Sequence, residues 1–181
     1  MGCRALAELA QCAQGSAILI AAGACDTICA AMFAYPEQME IQGNSCAAIC
    51  RLLDAGEAPS TLYRAGGGMR VAEAMMEFPH SVHIQQNGCG VTARLALDSH
   101  NRNALIAAGS CEIITKAMAT FPEQEAIQGY GCAAIANIAA ECEIRERLKN
   151  AEAEERVVDA MLKFSGNAQL QRVGEHAISL L

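Results

Sequence analysis

The sequence lacks tryptophan, is poor in other aromatic residues (4%), and has fewer basic than acidic residues, 13 against 20. With so few large aromatic side chains, a core must be built from Ala, Ile, Leu, Met and Cys, which favours closely packed helices. The net charge of −7 argues against a general nucleic-acid-binding protein, because such a protein needs an excess of lysine and arginine to neutralise phosphates. We therefore expect no nucleic-acid partner.

Membrane, catalytic and metal-binding signatures are absent as well. No apolar run reaches the roughly 20 residues of a membrane span, so we expect none. The sequence contains no G-x-S-x-G motif, no P-loop and no evident nucleophile beside its four histidines. His80, His83 and Cys89 are conceivable metal ligands, but no paired C-x-x-C framework accompanies them. We expect no enzyme activity, no catalytic residue, no cofactor and no metal.

Ten cysteines are present, and most occupy periodic apolar positions. Such cysteines are typical of small, reduced, buried side chains rather than of a secreted disulfide framework. Cys46, Cys89 and Cys132 lie 43 residues apart, on helices whose axes should be roughly 8 to 10 Å apart, beyond the reach of a disulfide unless the backbones approach more closely. We expect a reducing compartment, the cytoplasm or the nucleus.

A 43-residue repeat runs through the chain and indicates a solenoid. Its most regular member is a glutamine found once in every copy, at Gln42, Gln85, Gln128 and Gln171. An aromatic residue precedes each glutamine by seven positions, at Tyr35, Phe78, Phe121 and Phe164. The predicted boundaries within the single domain 1–181 are a partial repeat 2–12 and repeats 15–54, 58–97, 101–140 and 144–181.

Each copy divides into three helical segments. The first ends at Ala-Gly, as at Gly109, because glycine suits a left-handed helix cap. Proline at 36, 79 and 122 should open the third and longest helix. In the last copy Glu152 replaces the separating glycine, so we expect its first two helices to merge. Neither end carries an obvious polar capping unit, which predicts a fragment of a longer array or an end covered by another subunit.

This three-helix order resembles armadillo repeats, most closely over residues 101–140. Asn101 to Gly109 is followed by Ile113-Ile114, and Gly131 to Ala139 ends in Ala-Asn-Ile-Ala. The resemblance implies an all-α fold: a right-handed α-solenoid of about four three-helix armadillo-type repeats. It also implies a concave groove, lined by third helices, that holds a peptide or partner protein.

By the same resemblance, Asn137 matches the asparagine that grips the ligand backbone in peptide-binding members. The equivalent positions are otherwise not asparagine: they read Glu8, Arg51, Arg94 and Leu180. The column that holds tryptophan in nuclear-import adaptors contains no tryptophan here and ends at His176. Binding of nuclear-localisation signals in the importin manner is therefore not expected.

Arg51 and Arg94 are the strongest candidates for partner contacts, since they occupy equivalent positions on neighbouring third helices. A helix spacing of roughly 10 Å equals about three residues of extended chain, so the two arginines could bind acidic groups three residues apart in a partner segment. Equally, each arginine could simply be solvated on its helix, or could pair within the chain with Glu8, Asp54 or Asp98. Asn44, Asn87 and Tyr130 share the groove face, although the asparagines could instead be helix caps. The predicted groove residues are Asn44, Arg51, Asn87, Arg94, Tyr130, Asn137 and His176.

The sequence therefore predicts a non-catalytic scaffold that binds an extended or helical segment of a protein partner, with a lean towards acidic segments. The alternative is a structural subunit of a larger chain or assembly, docked through its ends and convex face.

Overall fold

The computed structural model describes residues 2–54 and 59–181, and every regular element within those ranges is helical. The predicted start of the second repeat, Ala58, lies outside the described residues. The α-helices are α1 (Gly2–Leu9), α2 (Ala13–Ala21), α3 (Ala24–Ala34), α4 (Met39–Asp54), α5 (Pro59–Arg64), α6 (Gly67–Glu77), α7 (Val82–Leu95), α8 (Ser99–Ala107), α9 (Ser110–Thr120), α10 (Glu125–Ala139), α11 (Arg145–Asn150), α12 (Ala153–Lys163) and α13 (Ala168–Leu180). A short 3₁₀ helix, Cys142–Ile144, precedes α11.

The helices stack in repeating rows. The third helices of the repeats pack in the order α1, α4, α7, α10 and α13, and the second helices in the order α3, α6, α9 and α12. Each second helix has 11 residues, whereas the complete third helices have 13 to 16. The predicted right-handed solenoid of four three-helix repeats is confirmed, and it is preceded by α1, a third helix without companions.

The core consists of side chains that recur at the 43-residue interval. Ile28, Val71, Ile114 and Val157 of the second helices are fully buried, and Cys46, Cys89 and Cys132 are fully buried beneath the third helices. None of the described helices is long and apolar enough to cross a membrane alone. Two consecutive helical segments, Gln14–Ala21 and Ala24–Ala34, would together have the length and apolar composition of a membrane span, but they are bent by 72° relative to each other.

A left-handed residue separates the first helix from the second in every repeat. Glycine has this conformation at Gly23, Gly66 and Gly109, with φ between 71° and 84°. The predicted merging of the last pair is wrong, because Glu152 adopts φ 60° and keeps α11 and α12 apart. The packing of neighbouring repeats stabilises the left-handed conformation between the two helices even where the residue is not glycine.

The prolines lie in the turns before the third helices rather than in their first helical turn. In the sequence Tyr35-Pro36-Glu37-Gln38, the Gln38 amide donates to the Tyr35 carbonyl at 3.2 Å, which closes a four-residue turn. Proline's fixed φ suits the second position of such a turn. The predicted helix start at proline is therefore wrong: α4 begins three residues later, at Met39.

The glutamine of each repeat holds the end of the second helix. Nε2 of Gln128 donates to the carbonyls of Met118 at 2.8 Å and Phe121 at 3.0 Å. The last carbonyls of a helix have no partner within it, so this amide satisfies the Met118 carbonyl, which would otherwise be buried unpaired. The Phe121 carbonyl also accepts from the Gln124 backbone amide at 3.1 Å. The other three glutamines make the same two bonds: Gln42 to Met32 and Tyr35, Gln85 to Met75 and Phe78, and Gln171 to Met161 and Phe164.

Three residues after the glutamine, a small residue lets the third helix approach the second. A Cβ atom added at Gly131 would lie 2.5 Å from Sδ of Met118, and Gly88 and Gly174 face Met75 and Met161 in the same way. The methionine therefore fills the space that glycine leaves, which explains why the two residue types recur together.

We predict that Gln128→Leu lowers the free energy of unfolding by about 1–3 kcal/mol, because the buried carbonyl of Met118 loses its donor and the Phe121 carbonyl keeps only the Gln124 amide. Chemical denaturation followed by circular dichroism measures the change. Gln124→Leu is the matched control, since Gln124 is exposed and its side chain makes no capping bond. Equal stability of the two variants would contradict this role of the glutamine.

We also predict that Glu152→Gly raises the free energy of unfolding by about 1 kcal/mol, because a left-handed conformation costs a residue with a Cβ atom roughly that much. Gly109→Ala, the reverse change at an equivalent position, should destabilise the protein by a similar amount. Thermal unfolding checks both. A Glu152→Gly protein that unfolds at a lower temperature would show that the glutamate is not strained.

Candidate functional site: the third-helix face

All seven predicted groove residues lie on third helices. We call the surface that they share the third-helix face; it runs along α1, α4, α7, α10 and α13. Asn44, Asn87 and Tyr130 occupy one column of this face and Arg51, Arg94 and Asn137 another, while His176 lies on α13. The contacts of these side chains differ from repeat to repeat, as the next paragraphs describe.

Arg94 is held by its own chain. Its Nε and Nη2 atoms each lie 2.7 Å from a carboxylate oxygen of Asp54, and Nη1 donates to the Gly90 carbonyl at 2.9 Å. The guanidinium carbon also lies over the ring of Tyr130, 5.3 Å from the ring centre, as in a cation–π contact. Arg94 therefore makes the intramolecular pairing with Asp54 that the sequence left open as an alternative.

Arg51 and Asn137 both reach back to the preceding third helix. Nη1 of Arg51 donates to the Ala7 carbonyl at 2.5 Å, and Nδ2 of Asn137 donates to the Ala93 carbonyl at 2.7 Å. Both bonds span 44 residues, one more than the repeat, so they are the same contact made by two residue types. The side-chain NH₂ group of Asn137 thus donates within the array, and the side-chain oxygen remains available as an acceptor.

The remaining predicted residues have weaker ties. Asn44 and Asn87 lie inside α4 and α7, five residues beyond the helix start, so neither is a cap. Ser81 caps α7 instead, and the side chain of Asn87 donates to the His83 carbonyl at 2.7 Å. His176 is exposed on α13.

A cavity of about 450 Å³ opens on the third-helix face between α7, α10 and α13. Its lining includes Leu97, Ala126, Tyr130, Ala133, Asn137 and Val173. Leu97 is 71% exposed, and Ala126 is exposed as well. Three predicted groove residues, Arg94, Tyr130 and Asn137, are thus brought together with apolar residues that the sequence did not single out.

The cavity follows from a change of side-chain size along the columns. Arg94 of α7 is replaced by the shorter Asn137 in α10, and Tyr130 of α10 is replaced by Val173 in α13. One repeat earlier, the long side chain of Arg94 and the ring of Tyr130 contact each other. A comparison of residue volumes down each column, rather than of residue type alone, could have revealed this site.

The described cysteines are all free thiols, and most are buried. Burial raises the pKa of Cys46, Cys89 and Cys132 to about 12. Among the described residues, no three His, Cys, Asp or Glu side chains are grouped so that they could hold a metal ion. The buried cysteines thus act as small core residues in this structure.

Comparison with known proteins agrees with the geometry. A family model described as LRRK2 ARM repeat matches residues 65–159, which is 95 of the 181 residues. The chain belongs to the armadillo-repeat family. No curated protein sequence matches it.

Two solved structures share the armadillo fold of this chain. One is the crystal structure of an engineered protein, with a TM-score of 0.65 and 17% identity, covering 98% of this chain and 87% of that chain. The other is a designed armadillo repeat protein in complex with the peptide (KR)4, with a TM-score of 0.61 and 17% identity, covering 98% and 90%. At this identity the likeness extends to the fold alone.

We predict that thiol reagents modify Cys12 and Cys142 first, because both are exposed, whereas Cys46, Cys89 and Cys132 react only after unfolding. The thiolate is the reactive form, and a pKa of about 12 leaves few thiolates at pH 8. Labelling with iodoacetamide, followed by peptide mass spectrometry, measures the order. Equal rates for buried and exposed cysteines in the folded protein would contradict the packing described above.

Proposed function

We propose that this armadillo-repeat protein is a non-catalytic scaffold that binds an extended segment of a partner protein along its third-helix face. The observation that carries the proposal is the cavity between α7, α10 and α13, where Tyr130 offers a flat apolar ring and Asn137 an amide oxygen. An amide oxygen can accept a hydrogen bond from the backbone of an extended peptide, and such bonds supply affinity without requiring a particular sequence.

The arginine pair gives little support to an acidic partner. Arg94 is neutralised by Asp54, and Arg51 donates to the Ala7 carbonyl at the end of α1. An acidic segment would have to compete with these internal partners. The lean towards acidic ligands, based on the two arginines alone, is therefore not part of the proposed function.

Docking through the C-terminal end is the competing function. A hollow of about 580 Å³ there is lined by apolar residues that include Leu162, which is 72% exposed. The same end carries Glu175 and Ser179, both exposed, where the preceding repeat buries Cys132 and Ala136. Between inner repeats this position is buried from water, so a partner that packed closely against the C-terminal end would bury the Glu175 carboxylate at a cost in free energy. The third-helix face is therefore the better candidate.

A reducing compartment, the cytoplasm or the nucleus, belongs to the same proposal. Its support is that the cysteines pack as buried hydrophobic residues.

The test uses peptides selected on the wild-type protein from a random 12-residue phage-display library, with binding measured by fluorescence polarisation. We predict that Asn137→Arg weakens this binding at least tenfold, because the longer side chain should occupy the cavity. The variant should fold, since Arg51 and Arg94 occupy the same column. Ala119→Arg, at an exposed position of α9 outside the cavity, is the matched control and should bind normally.

Binding that survives Asn137→Arg but is lost in Leu162→Arg would overturn the proposal and support docking through the C-terminal end.

A further inference from the structure

The cavity on the third-helix face is lined mainly by apolar surface, with Arg94 and Glu125 as its charged residues. Leu97 beyond the end of α7, Ala126 and Ala133 of α10 and Val173 of α13 contribute carbon surface, and Tyr130 adds part of its ring. A volume of about 450 Å³ lies within the range of pockets that accept small-molecule ligands or inserted side chains. Its size and surface suit one large apolar side chain together with the adjoining backbone.

The charged residues at the rim already have partners in the chain. Arg94 is paired with Asp54 on one side. On the other side, Oε1 of Glu125 accepts a hydrogen bond from Nδ2 of Asn167 at 2.7 Å. An acidic partner residue placed here would have to compete with Asp54 for Arg94. A basic one could pair only with Glu125, which is exposed, and an exposed ion pair contributes little.

The rest of the third-helix face carries more charged side chains. On α1 and α4 it carries charges, among them Arg4, Glu8, Arg51 and Asp54. Arg4 and Glu8 pair with each other at 3.1 Å. The cavity lies where Arg94 is followed by the shorter Asn137 in one column and Tyr130 by the smaller Val173 in another.

From these observations we infer that the cavity selects its partner by a large uncharged apolar side chain, such as leucine, methionine or phenylalanine, presented by an extended protein segment. The inference rests on the proposed function, to which it adds the chemistry of the residue that anchors the partner. The flanking residues of the segment contact the polar rim, and the apolar side chain in the cavity supplies most of the difference in affinity between partner segments.

The experiment compares peptides from the same random 12-residue phage-display library on wild-type protein, Ala126→Trp and Ala119→Trp. Ala126 is an exposed alanine that lines the cavity, and Ala119 is an exposed alanine of the same repeat outside it. Both tryptophans enter at exposed positions, and thermal unfolding of each variant verifies that the fold is intact. We expect wild-type selections to share one Leu, Met or Phe among mainly uncharged neighbours.

Replacing that anchor in the peptide by alanine should weaken binding to the wild-type protein about tenfold to a hundredfold, the effect of losing one buried apolar side chain. Replacing a flanking residue should change it less than threefold. Ala126→Trp should weaken the anchored peptide at least tenfold, whereas Ala119→Trp should leave its affinity unchanged.

Two results would overturn this inference while leaving the proposed function intact. One is a set of selected peptides that depend on Asn137 but require acidic or basic residues. The other is an apolar peptide that binds Ala126→Trp as tightly as the wild type. If instead no selected peptide is sensitive to Asn137→Arg, the proposed function and this inference both fail.

Discussion

One side-chain amide per repeat fixes the geometry on which the array depends. The glutamine of each third helix donates to two carbonyls at the end of the second helix, at distances between 2.8 and 3.2 Å. It thereby joins the two helices across the turn that connects them and satisfies the methionine carbonyl, which would otherwise be buried without a donor. The glycine–methionine contact three residues further on sets how closely the same helices approach, so each repeat presents its third helix to the next in nearly the same way.

Because the backbone geometry repeats, differences between repeats reside mainly in the side chains of the third-helix face. In one column Arg51 and Asn137 donate to a backbone carbonyl of the preceding third helix. Arg94 instead pairs with the Asp54 side chain at the end of α4 and lies over the ring of Tyr130. The change from arginine to asparagine, together with the change from Tyr130 to Val173, leaves the cavity open at one end. A repetitive scaffold thus acquires a local site through differences in side-chain size, without any change in fold.

The fold could be predicted from the sequence because its signals are periodic: the glutamine column, the aromatic column and the left-handed glycines recur every 43 residues. Glu152 was misread because glycine preference is local, whereas the conformation of that residue is imposed by the packing of α11 and α12. The positions of the groove residues followed from the same periodicity, but their partners did not. The Arg94–Asp54 pair and the bond from Asn137 to the Ala93 carbonyl each depend on the conformation of a flexible side chain between repeats. The cavity depends on side-chain volumes, which a sequence motif does not describe.

The most direct test of the account is an NMR measurement of contacts between the wild-type protein and a library-selected peptide, using intermolecular nuclear Overhauser effects. The account predicts contacts from the peptide to the Tyr130 ring and to the methyl groups of Leu97 and Val173. Contacts confined to Val158, Leu162 and Ile178 at the C-terminal end would contradict it and identify that end as the binding surface.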